Sequence, residues 1–189
     1  AYPIPAKAKP GIGGYQCSMS KTLSAAELKQ PKNAVCKDVQ PGDTIEVHWV
    51  HTSCDVAPGP TLGSCLSDNC ATPNLRVESQ VFTLVNDRNA LNFADLNAAS
   101  GTTNGYHQAK SIPQNTGIPV EFLGSTTGPS YNNRNTCSPH QVTWSVRPQC
   151  AKLDINSLHT WCESNVFNED HAHGSRLLVT NPALLSEIE

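Results

Sequence analysis

Cysteine content constrains this chain more than any other feature of its sequence. Eight cysteines occur in 189 residues, and no two of them form the C-x-x-C pair that zinc knuckles use. Cysteines in such numbers are typical of proteins that fold in an oxidising compartment, where disulfides persist. We therefore predict at least three disulfides of a possible four, and a reduced cytosolic protein with buried thiols is the alternative.

The sequence does not determine how these cysteines pair, because eight cysteines allow about 105 pairings. Separation along the chain gives only local suggestions. These are Cys65 with Cys70 and Cys150 with Cys162.

The first residues and the apolar runs of the chain indicate the cellular compartment in which the protein is expected. The sequence starts at Ala1 without an initiator methionine or an apolar leader, as expected if a signal peptide had been removed. No apolar run has the length of a membrane span, and no asparagine lies in the N-x-Ser/Thr pattern of glycosylation. A secreted or periplasmic protein, with no membrane partner, is the simplest interpretation.

Length and composition indicate one globular domain. Hydrophobic residues make up 38% and charged residues 15% of the chain, a balance typical of a folded, loop-rich domain. Residues 1–16, rich in proline and glycine, are predicted to form an extended N-terminal arm, and residues 17–189 a single domain. The net charge of −3, without a basic cluster, excludes nucleic acid as the main partner. The sequence leaves homo-oligomerisation open.

Alternating hydrophobicity predicts a mainly β fold, α+β at most. Strands are expected at 43–51, 76–85, 118–124, 140–147 and 175–180. Such strands would form a twisted, mostly antiparallel sheet, with long disulfide-tied loops at 53–73 and 126–139. Three short helices are expected, at 23–30 behind a Ser24 to Glu27 capping box, at 155–163, and from Asn181-Pro182.

His171 and His173 form the sharpest local signal for chemistry. Histidines two residues apart in an extended segment project to one side, and together they can bind one metal ion, for which zinc is well suited. Glu169 and Asp170 precede them and supply carboxylates of the kind that hold a metal-binding imidazole in place. Two exposed loop histidines are the alternative.

His48 is the candidate for a third ligand. It shares one face of the 43–51 strand with Glu46, and Glu78 and Gln80 would extend this polar stripe if the 76–85 strand pairs beside it. A structural histidine hydrogen-bonded to Glu78 is the alternative. His51 faces away and is left out.

The remaining histidines are weaker candidates. His107 follows an Asn- and Gly-rich loop and is equally well interpreted as a ligand, a proton shuttle or an exposed residue. His140 opens a predicted strand and His159 lies within a predicted helix, so both are expected to be structural.

Three segments resemble carbonic anhydrases, in the order of the alpha class. That class carries H-x-H-W on one strand, a ligand histidine two residues beyond a glutamate on the next, and a G-S-L-T-T-P-P turn before V-x-W. The chain departs from this pattern with Glu46 at the first ligand position and Gln80 at the third. The matching segments are Glu46-Val47-His48-Trp49, Leu75-Arg76-Val77-Glu78, and Gly124-Ser125-Thr126-Thr127-Gly128-Pro129 followed by Val142-Thr143-Trp144-Ser145-Val146.

From about residue 41 onward the chain is instead similar to delta-class carbonic anhydrases. The stretches that carry this resemblance are His48-Trp49-Val50, Asn104-Gly105-Tyr106-His107 and Asp170-His171-Ala172-His173. It implies a Zn²⁺ ion held by three histidines, with the open position producing hydroxide that converts carbon dioxide to bicarbonate and a proton. His48, His171 and His173 best satisfy zinc geometry, and a rival set replaces one of them with His107.

Supporting residues are also expected. Glu46 and Glu78 would hold the ligands, and His107 is the available residue type for a proton shuttle. Resemblance to the alpha-class turn implies that Thr126 or, less well, Thr127 would orient the hydroxide. An apolar wall for carbon dioxide would come from Val50, Phe82, Val142 and Trp144.

Two other functions compete with the anhydrase. A non-catalytic extracytoplasmic β-sandwich could bind a metal or small ligand, and a zinc hydrolase could act on larger esters. Bound zinc with an open position would separate an enzyme from a structural module.

Overall fold

A computed structural model of the chain describes residues 2–3, 15–60, 67, 69–125 and 140–172. The described elements, in chain order, are β1 (Tyr2–Pro3), β2 (Tyr15–Gln16), a 3-10 helix (Ser18–Thr22), β3 (Thr44–Thr52), β4 (Leu75–Val85), α1 (Phe93–Leu96), β5 (Gly101–Thr103), β6 (Tyr106–Gln108), β7 (Val120–Ser125), β8 (Gln141–Asp154) and α2 (Ile155–Glu163). The mainly β prediction is confirmed.

Four strands form the central sheet, in the order β3-β4-β8-β7. The β3–β4 and β7–β8 pairs are antiparallel, and the β4–β8 pair is parallel. The strands predicted at 43–51, 76–85, 118–124 and 140–147 correspond to β3, β4, β7 and β8. The strand predicted at 175–180 and the helix predicted from Asn181 lie outside the described residues.

Strand β8 continues well past its predicted end at residue 147. The register with β4 shifts between Gln80 and Phe82, so that Gln80 lies opposite Arg147 and Phe82 opposite Ala151. Pro148 lies within this irregularity, where its missing N–H does not interrupt a regular ladder. The proline that ends the predicted strand is therefore accommodated in a bulge.

One face of the sheet, here called the core face, packs against both α-helices. Trp49, Phe82, Leu84 and Leu153 are buried there. They pack with Phe93 and Leu96 of α1 and with Ile155, Leu158 and Cys162 of α2. The opposite face carries Val77 and Val142 in a smaller buried cluster, and it is called the His48 face because β3 presents His48 there.

Helix α2 spans residues 155–163, as predicted. The side chain of Asp154 caps it by accepting from the backbone N–H of Asn156 at 3.1 Å. His159 is 2% exposed, and its Nδ1 accepts from the backbone N–H of Cys36 at 3.0 Å, in keeping with the structural role expected of it. No helix in the described part of the chain is long and apolar enough to cross a membrane.

The predicted helix at 23–30 is wrong. Its capping box does form, because the backbone N–H of Ser24 donates to the Glu27 carboxylate at 2.8 Å and Ser24 Oγ accepts from Glu27 N at 3.3 Å. However, the helical partner of the Glu27 carbonyl would be the nitrogen of Pro31, which carries no hydrogen. That carbonyl accepts instead from the backbone N–H of Asn86 at 2.8 Å. The segment is therefore a single turn tied to the end of β4.

Three disulfides join distant parts of the described chain, as the predicted minimum requires. They are Cys17–Cys150, Cys36–Cys162 and Cys54–Cys70, with sequence separations of 133, 126 and 16 residues. The suggested pairs Cys65–Cys70 and Cys150–Cys162 are wrong, because Cys70, Cys150 and Cys162 have these other partners. Cys65 and Cys137 lie outside the described residues.

We expect no more than two reactive thiols when the unreduced protein is denatured and titrated with a thiol reagent. The six cysteines of the three disulfides would not react, which leaves Cys65 and Cys137 as the only candidates. A protein reduced before titration provides the control and should give eight. A third thiol in the unreduced sample would contradict the disulfide framework.

Candidate active site

Strand register determines which side chains accompany His48. His48 lies opposite Ser79, and Glu46 lies opposite Val81. Directly paired residues of neighbouring strands share a face, so Ser79 joins Glu46 and His48 on the His48 face. Glu78 lies opposite Trp49 and Gln80 opposite Val47, which places both on the core face. The expected polar stripe containing Glu78 and Gln80 is therefore wrong.

Glu46 joins His48 and Ser79 into one hydrogen-bonded group. Its Oε1 lies 3.2 Å from His48 Nε2, and the same oxygen accepts from the Ser79 hydroxyl. Burial raises the pKa of the Glu46 carboxyl, but the hydrogen bond and charge of His48 and the Ser79 hydroxyl outweigh burial and leave the pKa below its ordinary value. Glu46 is thus held as a carboxylate beside the imidazole.

Apolar residues surround this group on the same face. The Trp144 ring meets the His48 ring edge-on, with centroids 5.1 Å apart. Val50 and Trp144 pack against the buried side chains of Val77 and Val142. Three of the four expected wall residues therefore lie on the His48 face, and one of them, Trp144, contacts His48. The fourth, Phe82, is a fully buried residue of the core face instead.

Gly124 allows Trp144 to take this position. A Cβ added at Gly124 would lie 2.6 Å from Trp144 Cδ1, a distance that forbids any larger residue without movement of the indole. The Phe122 ring stacks on Trp144 with an interplanar angle of 5°. The indole is thus held between β7 and His48.

Glu78 and Gln80 have structural contacts on the core face. Glu78 forms an ion pair with Arg76 at 2.7 Å. Gln80 is fully buried, donates to the carbonyls of Val81 and Gln149 at 2.8 Å each, and accepts from Thr116 Oγ1 at 2.5 Å. Both N–H groups and the oxygen of the Gln80 amide are thus hydrogen-bonded within the protein. Gln80 therefore does not occupy a ligand position next to His48.

His51 also lies on the core face, opposite Arg76. Burial lowers the pKa of its imidazole, and the nearby Arg76 guanidinium lowers it further against the opposing effect of Glu78. His51 is thus held neutral. It lies on the opposite face from the Glu46–His48 pair, as its position on the strand predicts.

His171 has a carboxylate partner of its own. Its Nδ1 lies 2.7 Å from Asp170 Oδ1, and Asp170 also forms an ion pair with Lys37 at 2.5 Å. The hydrogen bond from Lys37 is the main cause that lowers the pKa of Asp170, followed by the bond from His171. A backbone bridge between Lys37 and His171 holds the segment next to the Cys36–Cys162 disulfide.

The structure does not bring the predicted ligands His48 and His171 together. His48 contacts Glu46 and Trp144 on the His48 face, whereas His171 contacts Asp170 and Lys37 beside the Cys36–Cys162 disulfide, whose cysteines belong to the cluster of the core face. His107 is exposed on β6, opposite Thr102 of β5 in a hairpin whose tip residues Asn104 and Gly105 have φ angles of 52° and 85°. Positive φ at both positions is typical of a type I′ turn. His173, Thr126 and Thr127 lie outside the described residues.

The donor chemistry at His48 and His171 fits zinc. Each imidazole has one nitrogen held by a carboxylate, the arrangement that orients metal-binding histidines in proteins. A zinc ion bound by His48 would use Nδ1, and one bound by His171 would use Nε2. Within the described ranges, no three His, Cys, Asp or Glu side chains come together as a complete metal site.

Ser79 is the residue of this group that sequence reasoning missed. Alternation along β4 separates Ser79 from Glu78 and Gln80, but it does not say which set lies across from His48. That choice depends on the register of two strands far apart in sequence. Only the register between β3 and β4, which places Ser79 opposite His48, identifies Ser79 as a member of this group.

Comparison with known protein families identifies the chain. The family model described as "Delta carbonic anhydrase" matches residues 5–157. The matched segment includes Glu46, His48, Ser79 and Trp144, and it ends before His171 and His173. No curated protein and no solved structure matches the chain. Because the family match covers well over half of its length, the chain belongs to the delta carbonic anhydrase family and is a carbonic anhydrase, a lyase.

Proposed function

We propose that this protein catalyses the reversible hydration of carbon dioxide with one zinc ion held by three histidines. The observation that carries the proposal is the carboxylate-held imidazole of His48 beside an apolar wall, within the segment that matches the family. Carbon dioxide is small and apolar, so a site that combines a polar reacting centre with hydrophobic walls suits it.

The proposed zinc ligands are His48, His171 and His173, with His107 as a substitute for one of them. Zinc, when bound, supplies a Lewis acid that lowers the pKa of water in an open position to about 7. Glu46 and Asp170 orient the imidazoles of His48 and His171 by holding one nitrogen of each.

Other residues would bind substrate and move the proton. Val50, Val142 and Trp144 provide an apolar surface for carbon dioxide. Thr126 is proposed to orient the attacking oxygen. His107 is exposed and is proposed as the proton shuttle, because histidine is the side chain that most often transfers protons in enzymes.

The cross-links support a proposal about the location of the protein. Three disulfides suit an oxidising environment, and we propose that the protein works outside the cytosol, as a secreted or periplasmic enzyme.

We expect the zinc-loaded protein to hydrate carbon dioxide at a rate that rises with pH through about 7, because deprotonated water is the reacting species. Stopped-flow measurement with a pH indicator between pH 6 and 9 tests this, and a zinc-binding sulfonamide should inhibit the reaction. No hydration at any pH in this range, by protein shown to contain zinc, would contradict the proposal.

We expect His107→Ala to slow turnover in weak buffer while zinc content stays unchanged, and added imidazole to restore the rate. The diffusible base replaces the missing side-chain base, typically worth about 10²–10⁴-fold. Gln108→Ala, at the next position of the same exposed strand, is the matched control and should have little effect. Loss of zinc in His107→Ala would make His107 a ligand instead.

A further inference from the structure

Ser79 is the buried member of the group that it forms with Glu46 and His48. It is 2% exposed, whereas the side chains of Glu46 and His48 beside it are 48% and 43% exposed. Its hydroxyl donates to Glu46 Oε1, the oxygen that also lies next to His48 Nε2. A buried donor therefore holds a half-exposed carboxylate in the orientation that meets the imidazole.

The protonation of the imidazole follows from this arrangement. A carboxylate can only accept, so the nitrogen of neutral His48 that faces Glu46 must carry the hydrogen. That nitrogen is Nε2, and the other ring nitrogen, Nδ1, then has the lone pair. Contact with the edge of Trp144 on a neighbouring part of the face restricts rotation of the ring.

The size of Ser79 contributes as well. Trp144 lies on β8, opposite Val77 of β4, whereas His48 lies on β3 on the other side of β4. The indole reaches across β4 to meet the imidazole. A small side chain at position 79 leaves room for this contact and still supplies one hydroxyl donor.

We infer that Ser79 is a positioning residue, which orients Glu46 so that His48 keeps its proton on Nε2 and binds zinc through Nδ1. The inference rests on the proposed zinc site. It adds to that proposal that Nδ1 is the ligand atom of His48 and that Ser79 determines this choice. Ser79 acts through Glu46 and has no contact with substrate in this role.

Long-range ¹H–¹⁵N correlation of the histidine side chains tests the inference in the metal-free protein and again after addition of zinc ions alone. In the wild type at about pH 8 we expect one proton on His48 Nε2. Zinc should shift the Nδ1 resonance of His48 and leave the Nε2 proton in place. Assignment uses the spectrum of His48→Gln, in which the signals of this ring are missing.

Ser79→Ala should give a mixture of the two His48 tautomers and a zinc dissociation constant raised about tenfold or more, in the range seen when the partner of a ligand is removed. Ser79→Thr keeps the hydroxyl and should retain the wild-type tautomer, and its added methyl group tests separately whether the Trp144 contact needs a small residue at position 79. Ser145→Ala is the matched control, because Ser145 lies on the same sheet opposite Glu78, on the core face. Thermal unfolding of each variant confirms that the comparison is between folded proteins.

Three results would overturn the inference: a proton on Nδ1 of His48 in the wild type, a zinc ion that leaves Nδ1 unshifted, or a Ser79→Ala protein with unchanged tautomer and unchanged zinc affinity. Hydration of carbon dioxide is measured separately. Activity with the wrong tautomer would reject the role of Ser79 alone, and the expected tautomer and zinc shift without activity would reject the proposed function alone.

Discussion

Replacing His48 with alanine is expected to remove stoichiometric zinc and to lower carbon dioxide hydration by more than about 100-fold. Loss of a ligand should exceed the about 10- to 100-fold effect of losing a ligand's hydrogen-bond partner. Because the His48 side chain is half-exposed, the substitution should change the free energy of unfolding little. Metal analysis of the purified protein and stopped-flow hydration measure the two effects.

His51→Ala is the matched control for this experiment. His51 is three residues further along β3, on the core face, so its removal should leave zinc content intact. Full zinc and full activity in His48→Ala would contradict the assignment of His48 as a ligand.

His171→Ala is tested in the same series. The family match ends before this residue and so does not bear on its role as a ligand. If His171 and His173 are ligands, this variant should lose zinc as His48→Ala does. Retention of full zinc content and activity would exclude the His171–His173 pair, and His107 would take the ligand role.

Replacing Gln80 with leucine is expected to lower the free energy of unfolding by about 2–5 kcal/mol. The substitution leaves the Thr116 hydroxyl without its acceptor and the carbonyls of Val81 and Gln149 without a donor. A buried polar group left unpaired costs about 1–3 kcal/mol. The Thr116 hydroxyl is buried, whereas the two carbonyl bonds are only partly buried and contribute less each. Chemical denaturation, analysed with a common slope for all variants, gives the difference.

Two further variants identify the cause. Gln108→Leu makes the same exchange at an exposed strand position and should change stability by less than about 0.5 kcal/mol. The double variant Gln80→Leu with Thr116→Val should be less destabilised than the sum of its single variants, because it removes both partners of one hydrogen bond. Additive effects would show that the buried hydrogen bond is not responsible.

Local patterns predicted the elements of this fold well. The alternation of β3 and β4, and the helical spacing of Ile155, Leu158 and Cys162 in α2, depend on neighbours within a few residues, and the sequence contains those neighbours. The failed helix at 23–30 shows the limit of such patterns. Its capping box was recognised correctly, but Pro31 removes the next donor and Asn86, from a distant strand, replaces it.

Pairing between distant segments could not be predicted in the same way. A shift of one residue in the register would have put Glu78 or Gln80 beside His48, and every side chain of β4 would have changed face. The actual register brings Ser79 there and directs Gln80 into the core. His48 and Glu46 could be predicted as neighbours because both lie on one strand, whereas their third partner depends on tertiary structure.

The long disulfides impose an order on biosynthesis. Cys17 and Cys36 are synthesised first, and their partners Cys150 and Cys162 follow only 133 and 126 residues later. In the meantime the early thiols can react with each other or with Cys54 through ordinary thiol exchange. Correct cross-linking therefore requires either delayed oxidation or repair by a disulfide isomerase. A host that supplies neither would trap the protein in mispaired forms.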